Sequence, residues 1–506
     1  MLLASQSLSD LCLRVYFSQT YSDAEFIIVN VALYAEDPTT ALILEVVLVR
    51  KSFGSPPDTL TEYQWYYSMC QANIETALAG LPLCMKASHD LTLALFFAAT
   101  YAVDILNPSL SWNLVGMASQ HARTLGFHTR SVGTRDLSNT LNSKGLLFWA
   151  IYVLERFLCL RLGRTSSLQD DDVTLAPPQA SMAGESALAY FGNTVMVASL
   201  AGRIYEQLYC AGALGLPANA RRVRVATLSQ ELNDLIEASH TIRDNWIRHA
   251  VDHNDRETAI HTAMTGDVQR FSMLTLIHRA TPPHSLETTI SKERITTARH
   301  ALEKHQAMIR NLHLKDSIFL TSYITWSTLF VPFVPFIALF CHVIETGNEE
   351  DLARMQIFVT SLESACPSSR AIAKHHRLIQ VFHRVVLRYK ACRDATSLSQ
   401  EESLSLRSEM DTQLHALGLQ ASVASSPPPP IGRGIGEASV VGAWSGCGGG
   451  TAAAAAAAAA DADAIDPGYS AASGVDPWKQ PSLQLGEWFS FSQSMMDLAD
   501  EDEWFL

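Results

Sequence analysis

The sequence predicts an all-α protein: a large multi-helix regulatory domain followed by a disordered, low-complexity C-terminal tail. Three observations carry that reading. Apolar residues recur with a helical period from the start to about residue 420, and period-two alternation is rare and short. Across 506 residues 48% are hydrophobic, enough to fill a sizeable core and too many for a chain disordered throughout. After Ala421 the texture changes to proline, glycine and alanine runs.

Leu114 to Leu125 illustrates the helical text. Leu114, Met117, Ala118, His121, Ala122 and Leu125 follow the i, i+3, i+4 rule, and Gly126 stands where a left-handed cap prefers glycine. His121 on that face is expected to be a hydrogen-bonded core histidine. Leu146–Leu162 is apolar nearly all round, as a central buried helix must be, with Gly163 to end it. Further helices are expected over Leu228–His249, Ile295–Leu312, Leu352–Leu362 and Ile372–Tyr389. Ser399 with Glu402 resembles a capping box that opens another helix through Leu417. The body's irregular stretch is Ala35 to Thr61, strand-like and then proline-rich. Two readings stay open for it: a surface insertion, or intron sequence carried into the coding frame.

The charge is unevenly placed. Formal net charge is −14, and from Ala421 onward eleven acidic residues face only two basic ones, Arg433 and Lys479. An acidic tail on a near-neutral body marks an interaction segment, not a nucleic-acid surface, which needs clustered Lys and Arg. Arg221, Arg222 and Arg224 form the densest small basic cluster and read as a solvated helix face. Nine cysteines are scattered without a C-x-x-C spacing, as buried free thiols would be. Residues 318–344 carry no formal charge and are long enough to span a bilayer core of roughly 30 Å. Pro332 and Pro335 interrupt them, each unfavourable by about 3 kcal/mol inside a helix. They are read as two helices of a soluble core. Membrane association is retained as a lesser alternative.

Few patterns promise chemistry. Asp170, Asp171 and Asp172 could bridge magnesium if they stood on one helix with a further carboxylate at i+4, but that position is Thr174 and Pro177–Pro178 follow closely. Pairing with Arg161 or Arg164, or helix capping, is the plainer expectation; an all-α metal-dependent enzyme built on Asp170–Asp172 is the alternative. His375, His376 and His383 lie on a basic amphipathic segment and read as a solvated or interface face. No standard catalytic signature is present, so no catalytic or metal-binding residue is assigned.

The tail is more specific. Low-complexity sequence over residues 421–485 holds SSPPPP and nine consecutive alanines and reads as a linker. Residues 486–506 contain six acids, no bases and five aromatics: Trp488, Phe489, Phe491, Trp504 and Phe505. On a helix Trp488, Phe491, Met495 and Leu498 share a face. Such acidic–aromatic text stays solvated when free and folds into a partner's groove, as activation segments do.

One string resembles a known family. FWAIYVLERFLCLRLGRTSSLQDDDVTLAPP (residues 148–178) is similar to the hallmark of the fungal-specific transcription factor domain, also called the xylanolytic activator regulatory domain. That hallmark is an aromatic-rich helix, an acid–Arg pair, Gly-Arg-Pro, a spacer and an Asp-x-Asp-(Ile/Val) turn. Phe148, Trp149, Tyr152, Glu155, Arg156, Gly163, Arg164, Asp170, Asp172 and Val173 match it, while Thr165 replaces the usual proline. The resemblance extends over about residues 10 to 390. It implies a nuclear, all-α regulatory domain of a zinc-cluster transcription factor, with a second copy of the chain among its expected partners and with Trp149, Tyr152, Arg156, Gly163, Arg164, Asp170 and Asp172 in structural roles. Such proteins carry an N-terminal zinc cluster of six cysteines that reads DNA. This sequence lacks those cysteines, so zinc and direct DNA contact are assigned to no residue. DNA is expected to be reached only indirectly or through that module, with coactivator proteins as partners of the tail.

Overall fold

The computed structural model describes residues 5–17, 21–34, 60–82, 85–130, 143–179, 186–250, 253–282, 291–312, 320, 323–326, 333–368 and 370–394. The linker and all seven tail residues named above lie outside them, as does the expected Ser399–Leu417 helix. Among the described residues there is no β-strand.

The order is α1 (Ser5–Phe17), α2 (Asp23–Tyr34), α3 (Leu60–Ala79), α4 (His89–Asp104), α5 (Pro108–Thr124), α6 (Ser143–Leu162), α7 (Ser186–Ile204), α8 (Ala218–His249), α9 (His253–Arg279), α10 (Lys292–Leu312), α11 (Phe333–Thr346), α12 (Glu349–Glu363) and α13 (Arg370–Asp394). From α3 onward each helix packs against the next in sequence, save that α3 is bridged to α4 by α2. Short connections favour such neighbour pairing. Residues 60 and 61 open α3, so the irregular stretch ends two residues sooner than expected, and residues 35–59 lie outside the described set.

Local chemistry fixes several helix ends. Asn107 caps α5 by accepting from the Leu110 N–H at 2.8 Å, and Pro108 follows where a missing N–H costs nothing. At the other end Gly126 adopts φ +72°, and the Phe127 N–H reaches the Ala122 carbonyl at 2.9 Å. The expected glycine cap is therefore present. His121 differs from expectation: it is half-buried, and its Nδ1 has no hydrogen-bond partner. Leu114, Val115, Ala118, Ser119 and Ala122 form the buried stripe instead.

The α6 helix is buried on almost every side, from Gly145 to Leu162, and lies in the main core with α2, α4, α5 and α7. The α7 helix runs into one wide turn, Tyr205–Tyr209, in which the Cys210 N–H bonds to the Tyr205 carbonyl five residues back. At the C-terminal end α10 to α13 share a second packed region, where Phe336, Phe358 and Phe382 are buried. A hydrogen bond from Trp326 Nε1 to Asp104 Oδ1 (2.8 Å) ties the segment before α11 back to the end of α4.

The charge-free run over 318–344 meets the proline rule. The α11 helix begins at Phe333, directly after Pro332, with Pro335 in its first turn. No helix among the described residues is long and apolar enough to cross a membrane.

Candidate functional site

The site grows from one face of α6. Trp149, Tyr152 and Arg156 recur at i, i+3 and i+7, so they stack along one side of the helix. All three are at most 4% exposed. A guanidinium at such depth needs partners, because an unpaired buried charge costs several kcal/mol.

Those partners come from the segment after the helix. Gly163 takes φ +60°, and the Arg164 N–H closes back on the Cys159 carbonyl at 2.9 Å. This reversal sends the chain back along α6. Asp170 then arrives beside Arg156: Oδ1 accepts from Arg156 Nη2 at 2.6 Å and from the Tyr152 hydroxyl at 2.6 Å. Its Oδ2 accepts from Ser199 of α7 at 3.2 Å. Arg156 Nη2 also donates to the Leu168 carbonyl at 2.8 Å, its Nη1 lies 3.6 Å from Glu206, and the Tyr152 ring lies under its guanidinium. Gly202 of α7 is the floor: a Cβ there would overlap the guanidinium.

A second clamp sits beside the first. Glu155, 1% exposed, accepts from the Ser167 N–H (2.6 Å), the Ser167 hydroxyl (3.0 Å) and the Ser166 hydroxyl (2.7 Å). Trp149 Nε1 donates to the Ala176 carbonyl at 3.1 Å, and the Thr174 and Leu175 N–H groups both reach the His128 carbonyl at 3.1 Å. The 163–176 segment is thus tied at several points to α6, to α7 and to the turn after α5.

The expected pairing of the aspartates with Arg161 or Arg164 is overturned. Arg164 lies over the Trp112 ring, 4.5 Å from its centroid, and burial pushes Arg161 down to about 10. The reversal at Gly163 carries Asp170 past both of them to Arg156. Asp171 and Asp172 stand exposed on a single 3-10 turn, Asp170–Asp172. Among the described residues no group of three or more His, Cys, Asp or Glu is placed to hold a metal ion. Both carboxylates of the site have their oxygens taken by protein donors, so its chemistry is that of a lock.

Other polar centres escaped the sequence reading. Asp351, fully buried at the start of α12, is gripped by Arg299 through two bonds of 2.8 Å and by His342 at 2.8 Å, with Arg354 at 3.1 Å. Burial pushes its carboxyl up, yet those donors outweigh burial and hold it well below the usual carboxylate range. His305 is buried between the Tyr323 hydroxyl (2.8 Å) and the Ser361 hydroxyl (2.9 Å), and burial lowers it to about 3. His376 and His383, expected on a solvated or interface face, are buried within the chain itself at 6% and 5% exposure. They occupy the apolar stripe of α13 with Ile372, Ile379 and Val386. The Arg221–Arg224 cluster is likewise half-buried, with Arg224 Nη1 donating to the Gln207 carbonyl at 2.9 Å. Glu155 was legible in one respect: Glu-Arg inside an apolar helix demands partners.

Comparison with known proteins places this site in context. Residues 87–201, which run from just before α4 into α7 and include Trp149, Tyr152, Glu155, Arg156, Gly163, Asp170 and Ser199 of the lock, match the family described as the fungal specific transcription factor domain. The chain is 23% identical over 297 residues to an ABC-transporter-regulating transcription factor of Aspergillus fumigatus, covering 51% of this chain and 31% of that protein. It is 27% identical over 218 residues to the Fusaridione A cluster transcription factor fsdR of Fusarium heterosporum, covering 41% of this chain and 40% of that one. Against the lactose regulatory protein LAC9 of Kluyveromyces lactis it is 31% identical over 148 residues, 28% of this chain and 16% of that one. The match spans about a third of the length of the Aspergillus relative. No solved structure matches.

Proposed function

We propose, from the premise that residues 87–201 are a fungal specific transcription factor domain, that this chain regulates DNA-templated transcription as the regulatory and activating part of a transcription factor. One observation carries the reading. The family match runs from α4 into α7, where Trp149, Tyr152, Arg156, Gly163 and Asp170 converge in the lock, and relatives of the chain bear the names of transcription factors and regulatory proteins.

In this reading the helical body, residues 1–420, is the regulatory domain. Residues 421–485 act as a tether and residues 486–506 recruit coactivator proteins. Trp488, Phe489, Phe491, Met495, Leu498, Trp504 and Phe505 enter the partner's groove, and the six acids keep the free segment solvated. The chain works in the nucleus, reaches DNA through a partner or a zinc-cluster module, and associates as a homodimer.

The test is a reporter assay. The 506-residue chain, fused to a heterologous DNA-binding domain, should raise transcription from the cognate promoter. Alanine at Trp488, Phe491 and Trp504 together should abolish the rise. No change in transcription with the intact chain, at matched protein level, would overturn the reading.

A further inference from the structure

The last helix keeps its charge on the outside. The α13 helix carries seven Lys or Arg residues and one acid, Asp394. Ile372, Ile379, Phe382 and Val386 turn inward, and the same period fixes the outward face. Arg377 and Arg384, seven residues apart, stand exposed on that face. Leu387, one turn past Arg384, is 44% exposed. Arg388, already engaged within the chain, extends the row, which is about 16 Å long from Arg377. The neighbouring acids of α12 are largely engaged. Glu349 pairs with Lys390 at 2.7 Å, Glu350 with Arg354 at 3.6 Å, and Asp351 with Arg299, His342 and Arg354. Glu363, exposed at the end of α12, acts on the Cys366 thiol in the opposite sense to Arg377. Arg377 and Arg384 themselves make no side-chain hydrogen bond or ion pair among the described residues.

The chain itself carries a segment of complementary character. Asp497, Asp500, Glu501, Asp502 and Glu503 form an acidic run, and Trp504, Phe505 and Leu506 follow it directly. Carboxylates abutting an apolar group match arginines abutting Leu387. Residues 395–485, 91 in number, join the end of α13 to the acidic–aromatic sequence that contains this run. As a random coil a connection of that length spans about 50 Å, more than the length of α13. Arg384 lies only about 15 Å along the helix from the point where that connection begins. Exposed ion pairs are individually weak, but such tethering supplies an effective concentration on the order of a millimolar, at which a few of them suffice.

We propose that the outward face of α13, formed by Arg377, Arg384 and Leu387, is a docking surface for this chain's own residues 497–506. The carboxylates of the run lie along the arginines, and Trp504 and Phe505 rest on Leu387. The surface goes beyond the regulatory reading, which concerns the partners of that segment in other proteins, and it is measurable whether or not that reading holds.

The experiment is zero-length carbodiimide coupling of carboxylates to amines in the purified full chain carrying Arg384→Lys, which keeps the charge and adds an amine. Peptide mass spectrometry reads the products. Peptides containing Asp497–Glu503 should couple at position 384 at least about fivefold more than at Lys86 and Lys144, which are exposed outside α13. The yield should hold constant over a tenfold dilution of the protein. It should fall by about fivefold or more in 1 M NaCl, and likewise when Arg377→Glu is added to the same chain. Coupling at position 384 no greater than at Lys86 and Lys144, or unchanged by Arg377→Glu, would overturn the surface. A yield that falls in proportion to dilution assigns the segment to a second copy of the chain and equally overturns docking within one chain. Both substitutions stand at exposed positions; should Arg377→Glu fail to fold, Arg377→Gln takes its place, with a smaller loss of coupling expected and no loss fatal to the proposal. Reporter activity without coupling would count against this surface alone, and coupling without reporter activity against the regulatory reading alone.

Discussion

Arg156 and Asp170, fourteen residues apart in sequence, meet at 2.6 Å with the guanidinium 2% exposed and the carboxylate almost half exposed. The asymmetry decides which partner matters more. Asp170 can face water when alone; Arg156 cannot.

Asp170→Ala should therefore destabilise the chain by about 2–3 kcal/mol, below the figure for a pair buried on both sides because Asp170 is partly solvated and Glu206 remains nearby. Asp171→Ala and Asp172→Ala, at exposed positions, should stay within about 0.5 kcal/mol of the parent. Urea unfolding followed by circular dichroism checks all three, and equal losses at the three aspartates would refute the lock.

Gly202→Ala tests the floor of the same site. The added methyl group overlaps the Arg156 guanidinium, an overpacking worth about 1–3 kcal/mol. Its effect should be strongly non-additive with Arg156→Met, which removes the group it strikes. A double-mutant cycle showing simple additivity would contradict that packing.

Acid sensitivity should have a histidine component. His305 is lowered by burial to about 3, so the unfolded chain, with its histidine near pH 6.5, takes up a proton the folded one refuses. The stabilisation is complete above about pH 6.5 and is lost as pH falls from there toward 3. His376 and His383 are lowered in the same sense by burial. His305→Gln should reduce by about one the protons taken up on unfolding near pH 5. An unchanged pH slope of stability would refute the assignment.

Asp351 should act in a lower window. Its carboxyl is held below the usual range despite burial, so its contribution is present above about pH 4 and lost as pH falls below it. Asp351→Asn should lower stability at pH 7 and flatten the stability curve below pH 4, as acid titration of the two proteins would show.

How far the sequence reveals this molecule depends on the kind of force involved. Helices driven by an apolar period are visible, and so are the ends at Gly126 and Gly163, because few residues other than glycine accept their positive φ. The α8 helix starts ten residues ahead of its apolar text because its first turns are polar and are held by tertiary contact, such as Arg224 on Gln207. Charge partners are less visible. Arg161 and Arg164 stand nearer Asp170 along the chain than Arg156 does, and only the reversal at Gly163 explains why they lose. His376 and His383 look solvated beside Lys374, Arg377 and Arg384, yet the period of α13 sets them in line with Ile372, Ile379 and Val386. A neutral imidazole can join an apolar stripe, and composition alone does not reveal it.

The wide turn at Tyr205–Tyr209 has a consequence for the phase of the chain. A five-residue turn absorbs one residue beyond the α-helical count, so side chains after it are rotated by about 100° relative to a straight continuation of α7. Tyr209 faces the Leu276 carbonyl because of that offset. Deleting one residue here would restore helical phase and turn Tyr209 away from α9, making this turn the place where chain length, and not side-chain identity, sets which helix face Tyr209 meets.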